Sequence, residues 1–246
     1  MFRILTYNVH RCVGADRRLD VARVAQVIAA EAPDIVALQE VDVGRARTDG
    51  VDQAHGLARR LGMVSHFNAA LRVEEEQYGD AILTDRPERL IKAGPLPGYA
   101  RIPRLEPRGA LWVAIDLGGR RELQVINTHL GLVPREQQLQ AEALAGDAWL
   151  GAVDPRLPLI LVGDFNATQR TVAHRTLAAR LNNAHGLRPA TEPRAATFPA
   201  GMPMLRIDHL FVSGGIRVRS VRVGGSPLAR VASDHLPLVM DFDLAG

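Results

Sequence analysis

Residues 157–167 read LPLILVGDFNA, an apolar run that ends on an acid and an amide, Asp164 and Asn166. An apolar run of this length next to turn-forming residues is typical of a buried strand. Carboxylates are costly to bury unless they are paired, hydrogen-bonded or bound to a metal. Polar groups placed where a strand leaves its sheet are therefore typical of the ligand sites of α/β enzymes.

Five other apolar runs, distributed from end to end of the chain, finish in the same way. We expect all six strand ends to meet at one polar, metal-binding centre, because a core strand gains nothing from so many ionisable groups. The five runs and their polar residues are FRILTYNVH (2–10) with Asn8, PDIVALQEVD (33–42) with Glu40, ELQVINTHL (122–130) with Asn127 and His129, RIDHLFVS (206–213) with Asp208 and His209, and SDHLPLV (233–239) with Asp234 and His235.

Hydrophobic periodicity predicts helices that alternate with strands. Gly118 and Gly119 predict a tight hairpin turn, so the sheet is expected to be mixed. The sequence around Glu40 loosely repeats around Asp164, with an apolar strand before each acid. The predicted helices are 19–32, 53–61, 135–150 and 171–181, and the predicted strands, besides the one at 34–39, are 80–84, 109–117, 121–128, 157–162, 206–213, 216–223 and 236–242.

Two stretches rich in proline and glycine, 94–107 and 186–203, are expected to be long surface loops, which in compact domains are more often functional than idle. Motif residues lie on both sides of each stretch. We therefore expect a single domain over residues 1–246.

The composition limits which partners and chemistry fit. A chain of 246 residues can bury a core without cross-links. Its lone Cys12 excludes an internal disulfide and a multi-cysteine zinc site, and we favour a structural cysteine over a thiol nucleophile assisted by His10. The net charge of +3 is modest, the arginines are scattered among acids, and aromatic residues make up 4% of the chain. Such a surface is poorly equipped to stack single-stranded bases.

The N-terminal residues predict neither a secretory signal nor a membrane anchor. Strand-forming residues begin at Phe2, and no apolar stretch has the length of a bilayer span. We therefore expect a cytoplasmic protein without a transmembrane segment, with a monomer as the default oligomeric state.

The order of the motifs resembles that of the endonuclease/exonuclease/phosphatase superfamily, the deoxyribonuclease-I-like phosphodiesterases. The resemblance extends from Thr6 to Val239 and implies an α/β (α+β) fold, a four-layer α/β/β/α sandwich of two mixed β-sheets with the site at one end. The motifs that carry it are TYNVH, LQEVD, YGDAILT, RGAL, NTHLG, GDFNAT, TFP, RIDHLFVS and SDHLPLV.

The resemblance also implies the metal-binding residues. Glu40 resembles the metal-binding glutamate of the family, and Asp234 resembles a further acid near that metal. Asn8 and Asn166 match amides that hold the metal, water or phosphate oxygens. Hard oxygen donors suit Mg²⁺, which typically takes one or two carboxylates and keeps its remaining positions for water and phosphate. We expect Mg²⁺ as the cofactor, with Mn²⁺ as the alternative.

The catalytic residues follow from the same resemblance. His129 and His235 match two histidines that contact the scissile phosphate, and Asp208 resembles the carboxylate that orients His235. The attacking water needs a base with a pKa near the working pH. Asp164 and His235 remain rivals for that role.

Three further positions lie next to these motif residues in the sequence. Arg108 matches a basic position near the phosphate, although a surface arginine after a proline loop fits equally well. Tyr78 stands where relatives place a polar group beside the first catalytic histidine. Asp80 stands where many relatives have asparagine.

The implied reaction is divalent-metal-dependent hydrolysis of a phosphodiester, with nucleic acid among the candidate substrates. We favour a small stand-alone nuclease or phosphodiesterase. The alternatives are a sphingomyelinase-like phosphodiesterase of phospholipid headgroups, a phosphomonoesterase, and a non-catalytic module that binds a phosphate ligand. Loop 186–203 has Arg188 and Arg194 but only Phe198 as an aromatic, which is poor equipment for stacking bases. Residues 94–99 (GPLPGY) are the one short candidate for a membrane-contacting hairpin.

Overall fold

Two six-stranded mixed β-sheets pack face to face, with helices on the outer faces, in the computed structural model, which describes residues 1–187 and 196–244. This arrangement confirms the expected four-layer sandwich. The strands are β1 Phe2–Asn8, β2 Ile35–Val43, β3 Val64–Val73, β4 Glu76–Thr84, β5 Glu88–Pro95, β6 Gly109–Asp116, β7 Glu122–His129, β8 Leu159–Asp164, β9 Asn182–Asn183, β10 Asp208–Val212, β11 Ile216–Val223 and β12 Leu238–Leu244. The helices are α1 Val21–Glu31, α2 Gln53–Leu61, α3 Pro134–Ala145, α4 Val172–Ala178, α5 Ala184–Leu187 and α6 Ala229–Ala232.

The two sheets share one topology. The first has the order β11-β12-β1-β2-β4-β3 and the second the order β5-β6-β7-β8-β10-β9. Each contains one parallel pair near its centre, β1 with β2 and β7 with β8, and its other described pairs are antiparallel. Helices α1 and α3 connect these parallel pairs, as a parallel crossover requires. The repeated sequence around Glu40 and Asp164 corresponds to β2 and β8, the second strands of the two pairs.

The core lies in three layers. Apolar side chains of both sheets interdigitate between the sheets, with Ile4, Ile35, Val125 and Ile160 among them. Helices α1 and α2 cover the outer face of the first sheet, and α3 and α4 cover that of the second. Because the central strands are buried on both faces, they are nearly continuous apolar runs, and every residue of β8 is buried.

Local sequence explains where the helices begin and end. The side chain of Asp20 accepts a hydrogen bond from the Arg23 amide at the start of α1, and Asp52 caps α2 in the same way. Gly146 follows α3 and ends it before the predicted limit at residue 150. Helix 171–181 is likewise shorter in the structure, whereas 53–61 is matched at both ends.

Besides the two-residue strand β9, the strands β3 and β5 were not predicted. Both lie at sheet edges and carry many partly exposed polar residues, so neither shows the apolar run of a central strand. The expected loop 94–107 consequently starts inside β5. Residues 188–195 of the expected loop 186–203, including Arg188 and Arg194, lie outside the described residues. Within the described ranges, every helix is too short or too polar to span a bilayer.

Candidate active site

Polar strand ends from both sheets converge on a cavity of about 480 Å³. Asn8 ends β1, Glu40 lies in β2, His129 ends β7 and Asp164 ends β8. The loop before β12 contributes Asp234 and His235 to the same cavity. Those predicted site residues that line the cavity are Glu40, Tyr78, Arg108, His129, Asp164, Asn166, Asp234 and His235.

A β-bulge positions Glu40. The register of β2 against β4 shifts between Leu38 and Val41, and Glu40 has a left-handed backbone with φ of 57°. A bulge redirects a side chain out of the alternating pattern of its strand, and a left-handed backbone is rare for a residue with a side chain. The shift leaves Glu40 half-buried at the cavity wall instead of inside the sheet.

The glycine of the GDFN motif allows β7 and β8 to approach closely. Gly163 has φ of 147°, and a Cβ atom placed there would lie 1.9 Å from the carbonyl oxygen of Thr128. A side chain at this position would therefore push the two strands apart. The close approach places Asp164 opposite His129 in the parallel register.

Asn8 joins two carboxylates. Its Nδ2 donates to Oε1 of Glu40 and to Oδ2 of Asp164, both at 3.0 Å, while its Oδ1 accepts from the backbone N–H of His10 at 3.0 Å. Asn8 is itself buried. In this arrangement the amide links the first sheet to the second and fixes the spacing of two acids.

His129 lies between a cation and an acid. Nη1 of Arg108 donates to its Nδ1 at 3.1 Å, and its Nε2 lies 3.5 Å from Oδ2 of Asp164. Burial, then the nearby Arg108 and His235, lowers the pKa of His129 well below its usual value. A neutral ring that accepts at Nδ1 carries its proton on Nε2, the nitrogen nearer to Asp164.

His235 lies between two acids. Its Nδ1 is 2.9 Å from Oδ2 of Asp208, and its Nε2 is 3.5 Å from Oδ2 of Asp164. Burial opposes protonation of His235, but the charges of Asp208 and Asp164 outweigh it and raise its pKa to about 10. Burial, then the neighbouring Asp208, raises the pKa of Asp164 to about 7.

Arg108 and Tyr78 support His129 from one side. Arg108 forms an ion pair with Glu106 at 2.8 Å and a hydrogen bond with the Tyr78 hydroxyl. Tyr78 therefore contacts Arg108, which in turn contacts His129. Tyr78 lies within β4, not before it, and the guanidinium of Arg47 lies 5.1 Å from the centre of its ring. The resulting row of side chains closes one wall of the cavity.

A model of the "Endonuclease/Exonuclease/phosphatase family" matches residues 5–235. The chain belongs to this family. It is 27% identical over 260 residues to the uncharacterized protein YbhP of Escherichia coli K12, a match that covers 99% of this chain and 96% of that protein.

Solved structures of the family have the same fold. An endonuclease/exonuclease/phosphatase from Beutenbergia cavernae is 26% identical with a TM-score of 0.77, over 100% of this chain and 72% of that one. A mannosyl-6-phosphatase from Bacteroides thetaiotaomicron is 18% identical with a TM-score of 0.76, over 99% of this chain and 100% of that one. The second likeness shows the fold alone.

The donor set fits a divalent metal of the kind this family typically uses. Ligand atoms of Asp164, Asp208 and His235 lie within 4.8 Å of one another, so this buried group could hold an ion. Asp208 and His235, however, already contact each other at 2.9 Å. The cavity-lining carboxylates of Glu40 and Asp234 are half-buried hard donors, which suits Mg²⁺ better.

Among the predicted site residues, Asn8 and Asp208 do not line the cavity themselves but contact residues that do. Asn127, His209 and Cys12 also lie outside its lining. Asn127 lies between the sheets, where it accepts from Gln39 and donates to the carbonyls of Leu38 and Ala81. His209 faces the opposite side of β10 from Asp208, because side chains alternate along a strand, and its ring contacts Phe165. Cys12 is fully buried, and burial raises the pKa of its thiol, which disfavours a reactive thiolate.

Ser233 is a site residue that sequence reasoning missed. Its hydroxyl donates to the carbonyl of Asn8 at 2.7 Å and accepts from the backbone N–H of His235 at 3.2 Å. This bridge fixes the loop before β12 against the end of β1. The sequence did hold a signal for Ser233, because it directly precedes the predicted site residues Asp234 and His235.

His10 and Arg11 also line the cavity and were not assigned to it from sequence. His10 is the last residue of the TYNVH segment, and Arg11 follows it directly. The sequence offered no signal for their conformation, because left-handed residues with side chains normally occur singly and these two are adjacent.

Proposed function

We propose that the protein hydrolyses phosphodiesters with the help of a divalent metal ion. The observation that carries the proposal is the position of the Asp164 carboxylate, whose Oδ2 lies 3.5 Å from Nε2 of both His129 and His235 and 3.0 Å from the amide of Asn8. A carboxylate between two imidazoles in a cavity of about 480 Å³ can exchange protons with a bound water. The family match over residues 5–235 supports a catalytic domain made of the whole chain.

The mixture of charges suits phosphoryl chemistry. A phosphodiester is an anion and gains charge on its phosphoryl oxygens as it reacts, so the site needs donors as well as acids. His129, His235 and Asn166 provide donors beside the acids of the cavity. Carboxylates alone would repel the substrate.

Asp164 is the better candidate for the base, and His235 for a charged donor. His235 lies between the carboxylates of Asp208 and Asp164, so its ring holds a proton on each nitrogen and can donate to a phosphoryl oxygen. Asp164 accepts from Asn8 through Oδ2 and from the Asn166 amide through Oδ1, which fixes the carboxylate for one orientation of the attacking water.

His129 serves as a neutral donor. Arg108 occupies Nδ1, so the proton on Nε2 is available to a second phosphoryl oxygen. The Asn166 side-chain nitrogen donates to the carbonyl of Leu130 at 2.9 Å and so lies beside the His129 ring, on its Nε2 side.

A metal ion held by Glu40 and Asp234 would neutralise charge on the phosphate and lower the pKa of a bound water. Asn8 directs its nitrogen to Glu40 and its oxygen to the backbone of His10. It would therefore position Glu40 for the ion, and direct ligation by Asn8 stays a prediction.

The experiment is turnover of bis-p-nitrophenyl phosphate by the purified protein with Mg²⁺ or Mn²⁺. We expect release of p-nitrophenol that a chelator abolishes and that added metal restores. Asp164→Asn should remove this turnover, whereas the matched change Asp147→Asn, at an exposed acid, should not. No turnover with either cation would contradict catalysis and favour a phosphate-binding module.

The substrate class is tested by parallel assays. A p-nitrophenyl phosphomonoester is the relevant second arm, because the structurally similar Bacteroides protein is named a mannosyl-6-phosphatase. Plasmid DNA, RNA and headgroup-labelled phospholipid vesicles complete the panel. Faster turnover of the monoester than of the diester would contradict the preference for diesters.

A further inference from the structure

Arg11 occupies a conformation that the chain adopts at a cost. His10, Arg11 and Cys12 have φ values of 44°, 59° and 56°, three successive left-handed residues with side chains. This backbone is unfavourable for such residues and is seldom repeated in sequence. Unfavourable backbone that the surrounding structure enforces is often found at ligand sites.

The surrounding structure enforces it through α2. The first residue of that helix, Gln53, is fully buried; its Nε2 donates to the carbonyl of Arg11 at 2.7 Å, and its Oε1 accepts from the backbone of Asp42 at 3.0 Å. The segment is thereby attached to β2, close to the bulge that positions Glu40.

The side chain of Arg11 is oriented as well. Its Nη2 donates to Nε2 of His10 at 2.6 Å, while Nδ1 of His10 lies 3.1 Å from the carbonyl of Val13. A cationic donor on Nε2 leaves the ring proton on Nδ1, where it donates to that carbonyl. The guanidinium is thus held against a neutral ring at the cavity wall.

Arg11 differs from the other arginines of this cavity. Arg47 pairs with Asp42 at 2.7 Å and Arg108 with Glu106 at 2.8 Å. Across residues 1–187 and 196–244, by contrast, no carboxylate lies within ion-pair distance of Arg11. Its buried Nε also has no hydrogen-bond acceptor, a feature that it shares with Nε of Arg108. A buried, unpaired donor on a cation is costly unless a ligand satisfies it.

We propose that Arg11 binds a second anionic group of the substrate, next to the scissile phosphate. The inference rests on the proposed phosphodiesterase function and names the substrate class as esters with two neighbouring anionic groups. Such a group could be the next phosphate of a nucleic acid strand or a second phosphate of a small molecule. Arginine suits either, because its planar guanidinium can bind two phosphate oxygens at once.

The test compares matched substrates that differ by one charge. The first pair is the trinucleotide TpTpT and its analogue in which the linkage beside the cleaved one is a neutral methylphosphonate. The second pair is a p-nitrophenyl glyceryl phosphodiester with and without a terminal phosphomonoester. For the wild type we expect a lower KM for the more charged member of one pair, and that pair identifies the source of the anion.

Arg11→Ala should raise KM for that member about 10- to 100-fold, the loss expected for a hydrogen bond to a charged group. Turnover of bis-p-nitrophenyl phosphate, which lacks a second anion, should change less than threefold. Arg11→Lys should restore part of the loss, and Arg59→Ala, a change at an exposed arginine on α2, should have no effect.

Three results would overturn the proposal: no wild-type preference for the charged member of either pair, an equal loss on bis-p-nitrophenyl phosphate, or an altered Mg²⁺ requirement as the sole change in Arg11→Ala. The last would mean that Arg11 only offsets the acids of the cavity. Inactivity of the wild type on every ester would contradict the proposed function instead. Calorimetric binding of the two trinucleotides to wild type and Arg11→Ala would then still test Arg11 alone.

Discussion

The carboxylate of Asp208 lies 2.9 Å from Nδ1 of His235, and this contact joins the start of β10 to the loop before β12. Asp208 belongs to the second sheet, whereas His235 lies in the loop that leads into β12 of the first sheet. The pair therefore depends on the packing of the whole sandwich. It also fixes which nitrogen of His235 faces Asp164 and the cavity.

Replacing Asp208 by asparagine should disable His235 without unfolding the protein. The imidazole loses a negative neighbour, so its pKa should fall from about 10 towards its ordinary value. We expect kcat for the diester to fall about 10²- to 10⁴-fold, the range typical of a lost general acid–base contribution. NMR titration of the imidazole in the metal-free protein measures the pKa directly. An unchanged pKa in Asp208→Asn would contradict the role of this pair.

Glu40→Gln should weaken the response to metal more than it weakens the fold. The amide keeps the shape of the side chain and removes the charge that attracts a hard cation. We expect the Mg²⁺ concentration for half-maximal turnover to rise at least about tenfold, since a charged interaction of 1.5–3 kcal/mol is lost. The matched variant Glu142→Gln, on the exposed side of α3, should behave as wild type. Equal metal dependence in both variants would place the metal elsewhere.

Sequence predicted the sheet ends better than it predicted how side chains point from them. The apolar runs before Asn8, Glu40 and Asp164 identified central strands because both faces of these strands are buried. The bulge at Glu40 left no comparable signal, because it depends on the register between β2 and β4. The edge strands β3 and β5 escaped prediction because most of their residues are partly exposed. Buried and exposed positions do not alternate regularly along either strand.

The histidines illustrate the same limit within the candidate site. Sequence marked both His129 and His209 as polar residues at strand ends, yet only His129 lines the cavity. Residues 208 and 209 face opposite sides of β10, and which side faces the site depends on sheet packing. Likewise, the rivalry between Asp164 and His235 needed distances, because only the structure places His235 between two carboxylates.

Asn127→Ala should destabilise the sandwich strongly. The buried amide donates to the carbonyls of Leu38 and Ala81 at 2.8 and 2.9 Å and accepts from Gln39 at 2.7 Å, so it connects the two sheets. Alanine would leave these three partners buried without a hydrogen bond. At about 1–3 kcal/mol for each unsatisfied group, partly relieved by relaxation, we expect the free energy of unfolding to fall by about 3–5 kcal/mol.

Urea denaturation measures this loss. Gln138→Ala, which removes a side-chain amide from the partly exposed face of α3, is the matched control and should change stability by less than about 0.5 kcal/mol. A loss below about 1 kcal/mol in Asn127→Ala would show that water or a neighbouring side chain replaces the amide.

His174 should make stability depend on pH. The ring is buried under α4 against His209, with 4.8 Å between ring centres, and its Nε2 accepts from Asn183 at 2.6 Å. Burial, then the charge of Arg206, lowers the pKa of His174 to about 4 from its ordinary 6.5. As pH falls between these values, the unfolded chain takes up a proton that the folded protein resists. The contribution of His174 to the free energy of unfolding should therefore be greatest above about pH 6.5 and should decline towards pH 4.

His174→Gln isolates this contribution from the other buried groups, which also titrate. Glutamine keeps an acceptor for Asn183 and cannot be protonated, so the decline between pH 6.5 and 4 should become shallower, although His209 retains its own share because burial lowers its pKa too. Urea unfolding at several pH values measures both slopes. His55→Gln, at an exposed position on α2, should leave the slope unchanged. Parallel curves for His174→Gln and wild type would show that His174 stays accessible to protons in the folded state.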